Sequence, residues 1–336
     1  MRTNVYLTVD TEHSMGGAWD NAALRPVPAE RHIYCRIGGK DNGIGWICDE
    51  LERHKFRATF FAEVFCSLVF GVDATRSWCQ YLLQRGQDVQ LHTHLYYYYY
   101  AKNQVSPVAA SERTDDIARL PQPLRAELLE QAHRIFYSLT GYAPAAFRAG
   151  NWVANRALLS DLANVGIRLD CSFNPVVADS FPGEALVLNA LQKIDGAWEL
   201  PLSAVRQRLP EPHLARGVRS FDLVSLSSWE ICKTFEDSWK KGTPHVAAVL
   251  HSFSGVKTKD VQYEQMKPDR VVRGRVRCFL DYLAARSDRF RVRTLSELAS
   301  ELDDAQPTAP VELPNLGFIH PLARKVVQAV NTMYWV

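Results

Sequence analysis

Short stretches rich in β-branched and aromatic residues alternate with longer stretches of helical period along most of this chain. The strand-like stretches are 4–10 (NVYLTVD), 57–62 (RATFFA), 87–92 (QDVQLH), 145–148 (AAFR), 166–173 (GIRLDCSF), 198–203 (WELPLS), 245–251 (HVAAVLH) and 290–294 (FRVRT). Between them lie helix patterns. Residues 43–54 put Ile44, Ile47, Cys48 and Leu51 on one face, with Asp41 or Asn42 as cap. Residues 77–86 stop at Gly86, and 123–141 carry the stripe Leu124, Leu128, Ala132, Ile135 and Leu139 and close at Gly141. Residues 271–287 form a further helix. Such alternation predicts an α/β fold with a mainly parallel sheet. Seven or eight strands over about 300 residues suit a barrel as well as an open sheet.

Composition narrows the class. The net charge is +2, with 47% hydrophobic and 23% charged residues, so no strong field steers the chain toward nucleic acid. The apolar runs fall well short of the roughly 18–20 residues that a membrane span needs. The opening MRTNVYLTVDTEH places polar and acidic residues where a signal peptide has its apolar core, so a cytoplasmic protein is expected. Seven scattered cysteines (35, 48, 66, 79, 171, 232 and 278), with no CxxC pair, argue for reduced thiols. A metal site would then draw on His and carboxylate.

Residues 1–302 read as one domain. The Pro-rich 303–315 (DDAQPTAPVELPN) reads as a connector, and 320–336 (HPLARKVVQAVNTMYWV) as a short amphipathic helix. The plainer reading of that helix is docking on the domain. The sharper one is peripheral membrane or partner contact, given Arg324, Lys325 and the terminal MYWV.

Four strand patterns end in reactive residues: Asp10 followed by Glu12 and His13; His92 with His94 two residues on; Arg148; and His251. In parallel α/β folds the C-terminal strand ends converge on the active site, so these groups are expected together. Two imidazoles and a carboxylate make a three-ligand site for Zn²⁺ or a similar divalent ion. Asp10 and Glu12, two apart, can divide the roles of ligand and general base. A further His can protonate a leaving group, and Arg148 can pair with the base. These are the parts of metal-assisted amide or ester hydrolysis. His13 reads as a site-lining donor rather than a ligand.

LTVDTE, ATFF, DVQLHTH, FRAGNW and VLHSF occur in the order of the motifs of the polysaccharide deacetylases, the NodB-homology group or carbohydrate esterase family four, and over residues 3–300 the chain resembles that family. The resemblance implies an irregular (β/α) barrel with a short C-terminal helical tail, and a metal-dependent deacetylase acting on N-acetylated sugars. It implies Asp10 as base and Glu12, one residue further on than the common form, as metal carboxylate. It implies His92 and His94 as metal imidazoles, with Tyr96 standing where the family has its usual second His. Arg148 resembles the residue that orients the base, and the usual Pro-Tyr after it is Gly150-Asn151, followed by Trp152. LDCSFNP points to Asp170 as a catalytic-site carboxylate. VLHSF points to Leu250 in the acyl pocket and His251 as acid. The divergent motifs resemble a branch from bacterial surface-polysaccharide or lipopolysaccharide pathways. The alternatives are a carbohydrate-binding barrel without catalysis, or a hydrolase of another amide or ester.

Tyr96 to Tyr100 alternate faces if extended. They then form either an aromatic wall for sugar rings or a loop anchored by its rings in the barrel mouth. Trp19, Asn151 and Trp152 follow site motifs and join the expected substrate-binding set.

Overall fold

A computed structural model describes residues 2–103, 115–177, 180–181, 186–208 and 217–333. Its strands are β1 (Thr3–Thr11), β2 (Thr59–Glu63), β3 (Asp88–Thr93), β4 (Ala146–Ala149), β5 (Leu169–Asp170), β6 (Gln192–Ile194), β7 (Ala197–Glu199), β8 (Ala204–Gln207), β9 (Val218–Ser220), β10 (His245–His251), β11 (Val256–Thr258), β12 (Met266–Pro268), β13 (Phe290–Arg293) and β14 (Asn315–Leu316). The main sheet runs β10-β1-β2-β3-β4-β5-β7-β6, with β13 also on β1. Its pairings are parallel except for β6 with β7. Residues leaving β7 return to β10: Ser203 N donates to the Ala247 carbonyl, and Leu223 N to that of Val249. This draws the two sides of the sheet together into an irregular (β/α) barrel.

Period-two alternation sorts the side chains into two layers. Val5, Leu7 and Val9 of β1 and Val246, Ala248 and Leu250 of β10 pack outward with Ile44, Ile47, Leu51 and Phe279 of the surrounding helices. Tyr6, Phe61, Ala146, Leu169, Trp198 and Ala247 face inward and close the barrel floor with Leu295 and Leu298. Above that floor the interior turns polar, with Asp10, His92, Arg148, Asp170 and Glu199 all buried. A buried polar layer persists only when its members satisfy one another, and the site below is built from it.

The helices follow local signals. Asp41 Oδ1 accepts from Gly43 N and Gly45 N at the start of Ile44–Arg53. Gln122–Thr140 ends where Gly141 turns left-handed at φ +87°. Asp269 caps Arg270–Ala284. Three expectations change. The strand expected over 166–173 shortens to β5: Gly166 N and Ile167 N still bond back to Ala163 and Leu162 of the preceding helix, and past Cys171 N, which reaches the Phe147 carbonyl, the ladder with β4 stops. That expected over 198–203 is β7 alone, since the residues after it make the crossing to β10. The tyrosine run is neither extended nor a loop: Leu95–Asn103 is a helix. Toward the chain end, β14 pairs parallel with β8, and Ile319–Met333 is a helix; the last three residues of MYWV lie outside the described residues. No helix among the described residues is long and apolar enough to cross a membrane.

Candidate active site

Parallel pairing stacks the reactive residues across neighbouring strand ends. Asp10 stands opposite His251, and His92 opposite both Glu63 and Arg148. From these ends Glu12, His92 and His94 converge, with one ligand atom from each lying within 4.8 Å of the others. His94 Nε2 is 2.6 Å and His92 Nε2 3.3 Å from Glu12 Oε2. Both rings are held from behind: His92 Nδ1 donates to the Arg148 carbonyl at 2.8 Å, and His94 Nδ1 to Asp115 Oδ2. That leaves both Nε2 atoms turned toward Glu12, the arrangement of paired metal imidazoles.

The electrostatics match a cation seat. Burial alone would raise the Glu12 carboxyl, but His94 and then His92 hold it well below the usual carboxylate range. Burial opposes a charge on His94, yet Asp115 and Glu12 raise it well above a free imidazole. A His/His/carboxylate set with convergent atoms and second partners behind each ring fits a divalent ion of the zinc class.

Beside this trio lies a second group. Arg148 Nη1 donates to Asp10 Oδ1 at 2.5 Å and to Thr8 Oγ1 at 3.0 Å. Asp10 Oδ2 faces His251 Nε2 at 3.9 Å. The Arg148 guanidinium lies over the Phe61 ring at 4.1 Å and the Trp152 ring at 4.5 Å. The His251 side chain is 30% exposed against 4% for Asp10, so the imidazole is the member that opens to an incoming molecule.

The FRAGNW turn fits closely around His94. A Cβ on Gly150 would lie 2.7 Å from His94 Nδ1 and 2.7 Å from the Thr93 carbonyl oxygen, so only glycine leaves room for the ring. Asn151 and Trp152 follow with φ +55° and +61°, left-handed values unusual outside glycine. Asn151 is exposed at the mouth, while Trp152 spends one face on Arg148. Tyr96 stacks on His94, with ring centres 4.7 Å apart. Thus Tyr96 packs against an imidazole at the place where the resemblance leads one to expect an imidazole itself.

Two expected residues are not brought to the reacting groups. Leu250 belongs to the outer, helix-facing layer. Strand alternation puts Val249 on the His251 face instead, so Leu250 does not line an acyl pocket. Asp170 is fully buried; it accepts from Ser172 Oγ at 2.6 Å and lies beside the buried Glu199 carboxyl. Burial raises both carboxyls, and the proximity of Asp170 raises Glu199 further, so this pair shares a proton below Arg148. Asp170 is a supporting residue there, with no bond to Glu12, His92 or His94 among the described residues. Trp19 meets Tyr100 edge-on and lines a groove of about 580 Å³ with Met15, Lys259 and Tyr263. His13 is buried against Phe70 with Nδ1 on the Val27 carbonyl, and burial lowers it to about 3. It anchors the loop after β1.

Comparison with known proteins bears on this architecture. No family model matches the chain, and no curated protein matches its sequence. Among solved structures, a protein of Mycobacterium smegmatis assigned as a polysaccharide deacetylase superposes with a TM-score of 0.53 at 15% identity, over 94% of this chain and 95% of that one. One of Pseudomonas aeruginosa, also assigned as a polysaccharide deacetylase, gives 0.50 at 12% identity over 92% and 93%. The fold is that of the polysaccharide deacetylases. The PuuE allantoinase shares this NodB-homology fold at a TM-score of 0.50 and 13% identity, over 92% of each chain. The deacetylase fold therefore leaves the reaction to the site.

Within this deacetylase fold, four site residues lack a local signal in the sequence. Asp115, some twenty residues beyond His94, holds that ring and also accepts from Tyr96 N at 3.3 Å. His32 donates from Nδ1 to the Glu12 carbonyl at 2.7 Å and packs on Phe253 and Tyr263. Glu63 accepts from the backbone N–H groups of Phe65, Cys66 and His94; burial pushes it up to about 7, with His94 pulling the other way. Asp222 forms a bridge to Val249 on β10, close enough for His251 to counter part of the rise that burial imposes on it. Glu63 is the register partner of His92 and ends the apolar strand β2, a placement with no metal or catalytic spacing around it.

Proposed function

We propose that the protein is a metal-dependent hydrolase that removes an acetyl group from an N-acetylated sugar, a glycan or a nucleotide- or lipid-linked precursor in surface-polysaccharide or lipopolysaccharide assembly. The observation that carries the reading is the division of two carboxylates: Glu12 joins His92 and His94, while Asp10 stands apart between Arg148 and His251. One carboxylate thus serves a cation and the other serves proton transfer.

Glu12, His92 and His94 would hold the ion, Zn²⁺ by its donor preference. When bound there, a divalent ion supplies a Lewis acid for the acyl carbonyl and lowers the pKa of water. Arg148 occupies Asp10 Oδ1 and leaves Oδ2 to take a proton from attacking water. His251 Nε2, the more exposed group, delivers a proton to the departing amine nitrogen. The Phe61 and Trp152 rings fix Arg148, so Asp10 is positioned before substrate arrives. The groove bearing Trp19 and Tyr263 offers ring faces and polar groups of the kind sugars use. The likeness of fold to the two proteins assigned as polysaccharide deacetylases supports a carbohydrate substrate.

The test is incubation of zinc-loaded protein with a series of N-acetylated sugar nucleotides and lipid-linked sugars, read by mass spectrometry. Loss of one acetyl group is expected from at least one class. A fully zinc-loaded protein that deacetylates none of them would refute the assignment.

A further inference from the structure

The helix Ile319–Met333 is docked the reverse of an ordinary surface helix. Pro321, Arg324, Gln328 and Asn331 recur every three or four residues and form its inward stripe. Arg324 is 1% exposed; its Nη1 donates to the buried Glu230 at 2.9 Å and its Nη2 to Gln207 at 3.0 Å. Lys257 Nζ donates to Asn331 Oδ1 at 2.5 Å, and Asn331 Nδ2 donates to Asp269 Oδ2 at 3.1 Å. Trp229 stacks on His320 at 3.3 Å. Polar bonds and one aromatic contact thus hold the helix to the barrel. The opposite stripe is Ile319, Leu322, Val326, Val330 and Met333, each between 44% and 79% exposed. A surface helix normally turns such a stripe inward.

Cations adjoin both ends. Near its start, Arg208, Lys233, Lys240 and Lys241 line a cavity of about 440 Å³, in which the three lysines pair with Asp237, Glu236 and Glu312. Near its end, Lys257, Lys259, Lys267 and Arg270 gather on and after the β11–β12 hairpin. Desolvation and then the neighbouring Lys257, Arg270 and Lys259 lower the Lys267 ammonium. An apolar stripe about 22 Å long with basic groups beside both ends matches a bilayer interface.

We propose that this face rests on a membrane containing anionic lipid, with the apolar stripe at the acyl boundary and the basic groups at the headgroup phosphates. Charge selects this occupant over a second copy of the chain, because a two-fold contact through the stripe would bring like cations together. Membrane contact is independent of the proposed hydrolysis, and its test needs no substrate.

The full chain is floated with vesicles of phosphatidylcholine alone and with vesicles of equal phosphatidylcholine and phosphatidylglycerol. Co-flotation with the anionic vesicles, weakened by added salt, is expected. The double change Leu322→Glu with Val326→Glu should weaken partition about tenfold or more without altering thermal melting, since both side chains are exposed. Lys267→Glu should weaken it for anionic vesicles alone. Absence of flotation, or equal flotation by the double variant, would overturn the proposal. So would a dimer in sedimentation velocity that the double variant dissociates, which would assign the face to a second copy.

Discussion

Arg148 and Asp10 form a buried ion pair at 2.5 Å, side chains 1% and 4% exposed, with the guanidinium held between two aromatic rings. Removing one partner leaves an uncompensated buried charge. Arg148→Met should therefore destabilise the fold by about 3–5 kcal/mol in denaturant titration and abolish turnover. Asp10→Asn keeps an acceptor for Arg148 but no proton acceptor, so turnover should vanish with metal still bound. Loss of metal in Asp10→Asn would instead make Asp10 a ligand.

Gly150 tests the packing around the proposed metal imidazoles. A methyl group there meets both His94 Nδ1 and the Thr93 carbonyl oxygen at 2.7 Å. Gly150→Ala should push the ring off Glu12 and weaken zinc binding, measured by competition with a chromogenic chelator, while the circular-dichroism spectrum stays near wild type. Unchanged zinc affinity would show that the ring and turn relax freely.

Asp115 acts through His94. It accepts from Nδ1 and so keeps Nε2 turned toward Glu12. Asp115→Asn should lower zinc affinity by about 10–100-fold, the usual effect of losing a partner behind a metal histidine. An affinity within twofold of wild type would remove Asp115 from that role.

The fold carries a separate pH response far from the site. Burial, and next the Arg293 cation, lower His245 to about 4, and the Tyr6 hydroxyl meets its Nδ1 at 3.0 Å. Between pH 6.5 and that value the unfolded chain binds a proton that the folded chain refuses. Stability from this group therefore falls as pH falls, by up to about 1.4 kcal/mol per pH unit. His245→Gln should flatten the difference in unfolding free energy between pH 7 and pH 5. A slope equal to that of wild type would contradict it.

Much of the fold and part of the site were legible because the strands that carry Asp10, His92, Arg148 and His251 are apolar runs ending directly in those residues. What escaped sequence reading depends on contacts between distant segments. Leu250 stands next to His251 in sequence, yet the two face opposite sides, and only strand register shows which side is the interior. Tyr96 to Tyr100 have side chains that suit strands. They are helical here, with Tyr96 N bonded to Asp115 and Tyr97 N to the His94 carbonyl, so the helix start depends on a carboxylate from beyond the run. Likewise His32, at the end of the short helix Ala29–His32, and Asp222 reach the site from segments whose local sequence carries no metal or catalytic spacing. Asp170 had motif support, but its two-residue strand delivers it into a pair with Glu199.

The most direct measurement is metal content by mass spectrometry after purification and zinc reconstitution, for wild type, Glu12→Ala, His92→Ala and His94→Ala. The convergence of Glu12, His92 and His94 predicts about one tightly held divalent ion per wild-type chain and its loss in each variant. A wild-type chain with no affinity for zinc, or a His94→Ala chain that keeps its ion, would contradict the proposed metal centre.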